Sequence, residues 1–269
     1  KTKRFRGYGD MSQPKENYSA KLRAKSMVYF VICIILTLIC LVPIYILIIN
    51  ATRKHVDIIS SVSFIPGSNL AANVKKLLND PMFQFDPFIG FKNSAIIAVG
   101  STVLSVFFSA LTAYGLVVYD FKLRGPAYTF ILVVMMVPMQ VTSVGFLQFM
   151  IQLGLSDSFI PLIVPTIAAP AIVFFMRQYL KSSFPLDIVE AARIDGCGEF
   201  RTFLTIAIPM MKPAIAVQAI FAFIQNWNNF YQPSMILVSR KFEQLTMPMM
   251  INMLKSNDKI ADYGVIYAG

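Results

Sequence analysis

Charged residues divide this chain into long runs that carry no formal charge, and the lengths of those runs predict its elements. A hydrocarbon layer about 30 Å thick is crossed by about 20 apolar residues in a helix. Met27 to Ile49 predicts a first membrane-spanning helix. Asn93 to Tyr119, between Lys92 and Asp120, predicts a second, and Gly125 to Ser156, between Arg124 and Asp157, a third. Ser158 to Met176 and Pro213 to Ser239 predict a fourth and a fifth. After Asp262 the apolar stretch Tyr263 to Gly269 is too short to span and reads as the start of a sixth helix, cut off. The expected fold class is an all-α integral membrane protein, a bundle of five complete transmembrane helices plus the start of a sixth. The first apolar run is too long and begins too late for a cleavable signal peptide. Pro138 in the third span and Pro161, Pro165 and Pro170 in the fourth are expected to break helices where a bundle bends or lines a cavity.

Lysine and arginine accumulate on the cytoplasmic side of membrane proteins. With the N-terminus cytoplasmic, the inner segments 1–26, 120–124 and 177–212 hold fifteen of the 24 basic residues, and the outer segments 50–92 and 240–262 hold nine. The expected organisation is a basic cytoplasmic segment over 1–26, flexible in its first half, followed by one transmembrane domain over 27–269. Composition agrees: 56% hydrophobic and 14% charged residues exclude a soluble globule and a disordered chain. The net charge of +10 owes much to the eight basic residues before the first span, which suit anionic lipid headgroups better than nucleic acid. Cys33, Cys40 and Cys197 are too few and too scattered for a disulfide scaffold and read as small hydrophobes.

Catalytic chemistry is not expected. The chain has no Gly-Lys dipeptide, hence no phosphate-cradling loop for ATP. His55 stands alone, without companions for a metal, and no two carboxylates are spaced as an acid and base pair. The predicted spans contain no ionisable group, which argues against a proton- or sodium-coupled carrier and against an intramembrane enzyme. They do contain amides and aromatic rings: Gln140, Thr142, Ser143, Gln148 and Gln152 in the third, and Gln218, Gln225, Asn226, Trp227, Asn228, Asn229, Tyr231 and Gln232 in the fifth. Amides pair with hydroxyls and aromatic faces cover the C–H faces of a sugar ring, so the set suits a neutral polyhydroxylated solute. Such residues also hold membrane helices together, and both readings stay open for each of them. Asn226, Asn228 and Asn229 cannot all face one way on a helix.

The inner segment 177–212 is patterned. Pro185 suits a first helical turn, Asp187 and Glu190 its positive dipole end, and Gly196 the position after its last turn. A second helical run, Glu199 to Ile208, is expected to stop at Pro209, so that two helices form an elbow at the membrane surface. By pattern alone this is an amphipathic interfacial pair.

Spacing adds more. Glu190-Ala191-Ala192, three residues, Gly196, nine residues, Ile206, one residue and Ile208-Pro209 together resemble the EAA loop of ABC importer permeases, with Ile208 departing from the usual Leu. Asn93-Ser94, Ala113-Tyr114-Gly115, Phe121-Lys122-Leu123-Arg124-Gly125, Val137-Pro138 and Trp227-Asn228 extend the likeness from residue 27 to the end. Over that length the chain resembles the shorter permease of the maltose-type carbohydrate importers, which implies the type I ABC importer transmembrane fold with six core helices. The resemblance implies that Glu190, Ala191, Ala192, Asp195 and Gly196, with Ile206 and Pro209, form the coupling loop that docks on a separate ATPase. Glu190 is expected either to meet a basic ATPase residue or to pair with Arg193. It also implies a second, homologous permease subunit, two ATPase subunits that carry the ATP and magnesium, and a solute-binding protein outside a prokaryotic cytoplasmic membrane. No cofactor is expected on this chain.

For the solute pathway the expected residues are Gln140, Gln225, Asn226, Trp227, Asn228, Asn229 and Tyr231, although the resemblance assigns most sugar contacts to the sister permease. Gln244, Asn252 and Asn257, in the outer loop 240–262, are the expected contacts with the binding protein. Three alternatives compete with a sugar importer: a permease for a polyamine, phosphate ester or peptide, a self-sufficient facilitator, and an intramembrane enzyme. A polyamine pathway favours acidic lining, and a phosphate ester favours buried arginine or lysine.

Overall fold

The computed structural model describes residues 15–256 and 262–269, which are mostly helical, with no strand among the described residues. The expected flexible stretch before residue 15 and the candidate contact Asn257 lie outside them. The chain forms two compact units, one of Lys1–Asn79 with Ala261–Gly269, the other of Asp80–Ile260.

In the first unit, α1 (Lys15–Ala51) takes in the second half of the basic segment and the whole first apolar run. Its side chains from Met27 to Ile48 are mostly exposed and apolar on every side, the pattern of a helix bounded by lipid. α2 (His55–Ser60) and α3 (Leu70–Asn79) follow. Buried Arg53 closes the end of α2 by donating to the Asp57 carbonyl at 2.6 Å and the Ser61 carbonyl at 3.0 Å. Asn73 of α3 donates to the carbonyls of Ala51 and Arg53 at 2.8 and 3.0 Å.

The second unit begins with α4 (Pro87–Val118), which starts six residues ahead of Asn93 and contains exposed Lys92. Capping explains the difference: the Asp86 carboxylate accepts from the N–H groups of Phe88 and Ile89, and Pro87 suits the first turn. An uncharged run marks where hydropathy changes, whereas a cap marks where the helix begins. The third run is two helices, α5 (Arg124–Met135) and α6 (Met139–Gln152), bent by 94° with Pro138 at the cap of α6.

α7 (Ile160–Ile163), a 3-10 turn over Val164–Ile167 and α8 (Pro170–Ser183) make the fourth span, each with a proline in its first turn. That span runs to Ser183 and so takes in Arg177 and Lys181, which corrects the expectation of spans free of ionisable groups. Arg177 is buried, and its guanidinium lies 3.6 Å from the centre of the Tyr128 ring. An aromatic face helps to hold the charge there.

The elbow is built from α9 (Asp187–Ile194) and α10 (Glu199–Thr202), a π-helical turn over Phe203–Ala207, and α11 (Ile208–Met210). Pro185 lies ahead of α9 rather than in its first turn. Pro209 does not stop the second helix, which runs to Met210 before a 79° bend into α12 (Lys212–Trp227). The reason is local: the Ile208 N–H reaches back five residues to the Phe203 carbonyl, and this widened turn accommodates a proline that has no N–H to offer. α13 (Tyr231–Ile236) and α14 (Met247–Ser256) complete the unit. Among the described residues three helices are long and apolar enough to cross a membrane, and counting each bent pair as one span gives five, the expected number.

Small residues let α4 serve as the spine of the second unit. Ser101, Ser105, Ser109 and Ala113 recur one per turn on one face and are buried. Ser101 donates to the Leu162 carbonyl at 3.1 Å, and Thr166 of the 3-10 turn donates to the Ser101 carbonyl at 3.2 Å. Near the elbow the core is Tyr114 of α4, Met176 and Leu180 of α8, Phe184, Val189 of α9, Phe203 and Met211. Near the start of α4, Asn93 donates to the carbonyls of Glu243 and Leu245, and the Met247 N–H donates to Ser94.

In the first unit the six-residue helix α15 (Tyr263–Ala268) packs on α1, α2 and α3. Its Gly264 faces the Arg53 carbonyl so closely that an added Cβ would sit 2.5 Å from that oxygen and 2.8 Å from the Asn73 amide nitrogen. Only glycine permits this approach.

Candidate functional site

The joint between the two short helices of the elbow is a glycine. Gly196 has φ +76°, the left-handed region. The Gly196 N–H donates to the Arg193 carbonyl and the Cys197 N–H to the Ala192 carbonyl, a Schellman closure that satisfies the end of α9. A Cβ at Gly196 would meet nothing within 4 Å, so within this subunit the demand for glycine is one of backbone angle, not of space.

α9 is two-faced. Val189 and Ala192 turn inward and are buried, while Glu190, Ala191 and Asp195 are exposed and Ile194 is 86% exposed. Of the two alanines in the motif, only Ala191 lies open to an approaching surface. On the following helix Phe203 is buried, Ile206 is half-buried, and Phe200 and Pro209 are exposed.

Arg193 does not pair with Glu190. It turns toward the start of α10, where its Nε donates to Glu199 Oε1 at 2.7 Å and an Nη to Oε2 at 3.2 Å. The fork geometry favours this partner, because a bidentate pair is stronger than an i to i+3 contact along one helix. Tyr119, at the end of α4, donates its hydroxyl to the same carboxylate at 2.7 Å, and the guanidinium lies 5.7 Å from its ring centre. The hydrogen bond from Arg193, then that from Tyr119, hold the Glu199 carboxyl below the usual range. Burial, then the bond and charge of Glu199, push the Tyr119 phenol up to about 12. The three residues tie both elbow helices to α4.

The residues expected along a solute pathway divide into three kinds. Asn226 and Asn228 donate to the carbonyls of Ala222 and Ile224 in their own helix, and Asn229 exchanges hydrogen bonds with Gln232. The first two amides bond back onto their own helix, and the third closes the turn into α13. Trp227 stacks on Phe223 at 5.6 Å and tilts against Phe91 at 5.7 Å, and the Tyr231 hydroxyl lies 2.8 Å from Ser143 Oγ, linking α13 to α6. Gln140 and Gln225 are exposed on α6 and α12. In segment 240–262, Gln244 is half-buried with its amide held by the Asp157 carbonyl at 2.8 Å, and Asn252 is exposed on α14.

Sequence reasoning missed the Arg193–Glu199–Tyr119 cluster and the Arg177–Tyr128 stack. Their partners come from different helices, and no spacing along the chain announces them.

Among the described residues, a strand-free set of helices with up to five spans and a glycine-jointed elbow is the architecture of a class, the membrane-embedded permeases. The sequence profile for the binding-protein-dependent transport system inner membrane component matches residues 105–268, and the chain belongs to that family. It is 36% identical over 226 residues to the arabinooligosaccharides transport system permease protein AraQ of Bacillus subtilis, covering 82% of this chain and 78% of that one. Against the lactose transport system permease protein LacG of Rhizobium radiobacter the identity is 33% over 186 residues, 69% of this chain and 67% of the other. Against the sn-glycerol-3-phosphate transport system permease protein UgpE of Pectobacterium atrosepticum it is 30% over 210 residues, 77% of this chain and 74% of the other. A bacterial ABC transporter involved in the import of the acidic polysaccharide alginate contains a chain of the same fold, with a TM-score of 0.73 at 22% identity over 91% of this chain and 90% of that chain.

Proposed function

We propose that this chain is the permease subunit of an ATP-driven importer that moves a carbohydrate, and specifically an oligosaccharide, across the cytoplasmic membrane by alternating access. It works beside a second, homologous permease, two ATPase subunits that hold the ATP and magnesium, and a solute-binding protein on the far side. The N-terminus and the elbow face the cytoplasm, a reading supported by the basic residues of the inner segments.

One observation carries the mechanism. The elbow is not a loose appendage: Val189 of α9 and Phe203 share a core with Tyr114 of α4 and Met176 of α8. Closely packed interiors transmit displacement rather than absorb it. A push on the exposed face of Glu190, Ala191 and Ile194 therefore moves the bundle helices together. The ATPase is the source of that push in this reading, and Gly196 sets the angle at which it is received.

For the solute, the higher identities to the arabinooligosaccharide and lactose permeases favour a saccharide over the phosphate ester of the sn-glycerol-3-phosphate relative. The exposed amides of Gln140 and Gln225 and the Trp227 and Tyr231 rings suit hydroxyls and C–H faces.

The test is uptake by the assembled complex in proteoliposomes, offered labelled arabinotriose, lactose or glycerol 3-phosphate with the binding protein. ATP-dependent accumulation of a saccharide is expected. Accumulation by this chain alone, or of the phosphate ester only, would overturn the proposal.

A further inference from the structure

We propose that Arg177 and Tyr128 form a binding site for the phosphate of an anionic lipid headgroup, at the end of the bundle that carries the elbow. The leaflet assigned to the site rests on the orientation proposed above; the site itself does not.

Arg177 belongs to a membrane-spanning helix and is 9% exposed, yet among the described residues its guanidinium finds no carboxylate and no hydrogen-bond acceptor. Its Nε is buried without a partner, and the Tyr128 ring at 3.6 Å is its one charge-stabilising contact among those residues. A ring face attracts a cation but does not neutralise it. A cation this far buried without a counter-charge is costly, and arginines at membrane depth pair with something.

The surroundings select an anion. Arg124 lies one turn before Tyr128 on α5, and Lys181 one turn beyond Arg177 on α8, so each helix adds a second basic group to the face it brings to the pair. The acid near Arg124 is Asp120, 3.8 Å away with a side chain 99% exposed, too solvated to serve Arg177.

Depth separates a lipid phosphate from a solute phosphate. Arg177 precedes the end of its helix at Ser183 by six residues, about 9 Å along the axis, and Tyr128 follows the start of α5 by four, about 6 Å. Both depths lie near the headgroup boundary of a layer about 30 Å thick, whereas transporters hold their solutes near the midplane. α5 buries none of its residues, and exposed Phe130 and Phe175 leave apolar surface open on both helices for acyl chains. Arginine's planar fork matches a phosphate in two hydrogen bonds while its face stays on the ring.

The experiment purifies the assembled complex with phosphatidylglycerol and phosphatidylcholine supplied in equal amounts. It counts retained lipid by native mass spectrometry and reads the ATPase and sister subunits in the same spectra. Wild type is expected to retain phosphatidylglycerol preferentially. Arg177→Gln should lower that preference about fivefold, the share of one basic contact at a lipid surface. Arg177→Lys should fall between the two. Should Arg177→Gln fail to assemble, Tyr128→Leu serves instead and should show the same loss, with Tyr128→Phe unchanged.

Equal retention in wild type and Arg177→Gln overturns the proposal. So does displacement of the lipid by glycerol 3-phosphate, which would make the ligand a free phosphate ester, or loss of the sister permease in place of lipid, which would make it a protein carboxylate. The double variant Glu190→Lys and Gly196→Leu should keep the lipid while losing the ATPase, so this inference and the elbow reading fail separately.

Discussion

Arg193 and Glu199 close the elbow on itself: one residue ends α9, the other starts α10, and their side chains meet in a two-bond fork at 2.7 and 3.2 Å. The Tyr119 hydroxyl on the same carboxylate extends this closure to α4. Both charged side chains are 40% or more exposed, so water screens the pair and it adds little to global stability. Its weight is local. Glu199→Gln and Tyr119→Phe should leave the unfolding temperature nearly unchanged, raise amide exchange across 187–202, and lower uptake per ATP hydrolysed. Unaltered exchange in both variants would remove this cluster from the mechanism.

The same cluster sets a pH dependence. Glu199 is held below its ordinary value, so its contribution is complete above about 4.5 and is lost as pH falls through the lowered value. Tyr119 is shifted the other way: its contribution is complete below 10.0 and is lost as pH rises toward about 12. Exchange protection of the elbow should therefore be flat from near pH 5 to near pH 10 and fall outside that window. Protection that changes between pH 6 and 8 would place control in another group.

Gly196 separates backbone angle from contact. In the free subunit Gly196→Ala and Gly196→Leu share the left-handed penalty of about 1–2 kcal/mol, because a Cβ there has open space. Against a docked ATPase they should differ, with the leucine variant losing coupled uptake far more completely while both remain in the membrane. Equal uptake by the two variants, with membrane abundance checked by immunoblot, would count against docking at this turn.

Gly264 is constrained by space instead. Gly264→Ala drives a methyl group against the Arg53 carbonyl, and the resulting overpacking should cost about 1–3 kcal/mol. A lowered melting temperature of the purified subunit is the expected readout, and Asn73→Ala should lower it too by leaving two carbonyls without their donor.

Ser143 and Tyr231 join α6 to α13 by one hydroxyl pair at 2.8 Å. Interhelical hydrogen bonds in membranes average about 0.6 kcal/mol, or about threefold in an equilibrium constant. Ser143→Ala and Tyr231→Phe should each shift the apparent KM for saccharide by about that factor, and the double variant by no more than either alone. Additive shifts would show that the two hydroxyls act separately.

Much of this protein was legible in its sequence because membranes and helix ends impose strict local rules. Uncharged runs of spanning length located five spans, since a bilayer tolerates little else, and the residues around Glu190 and Gly196 announced a short helix and its left-handed stop. Where charge was used to end a helix the boundary slipped, because Asp86 caps α4 ahead of Lys92 and α8 continues through Arg177. Proline at 209 read as a stop because nothing local foretold the π-helical turn that accommodates it.

Tertiary structure alone decided the partners. Whether Arg193 pairs with Glu190 or Glu199 depends on where the next helix returns, and whether Arg177 is a solvated end or a buried cation depends on Tyr128, 49 residues earlier in the chain. Periodicity and spacing are properties of one segment and its solvent. Side-chain pairing across helices is a property of the packing between segments, and no single segment carries it.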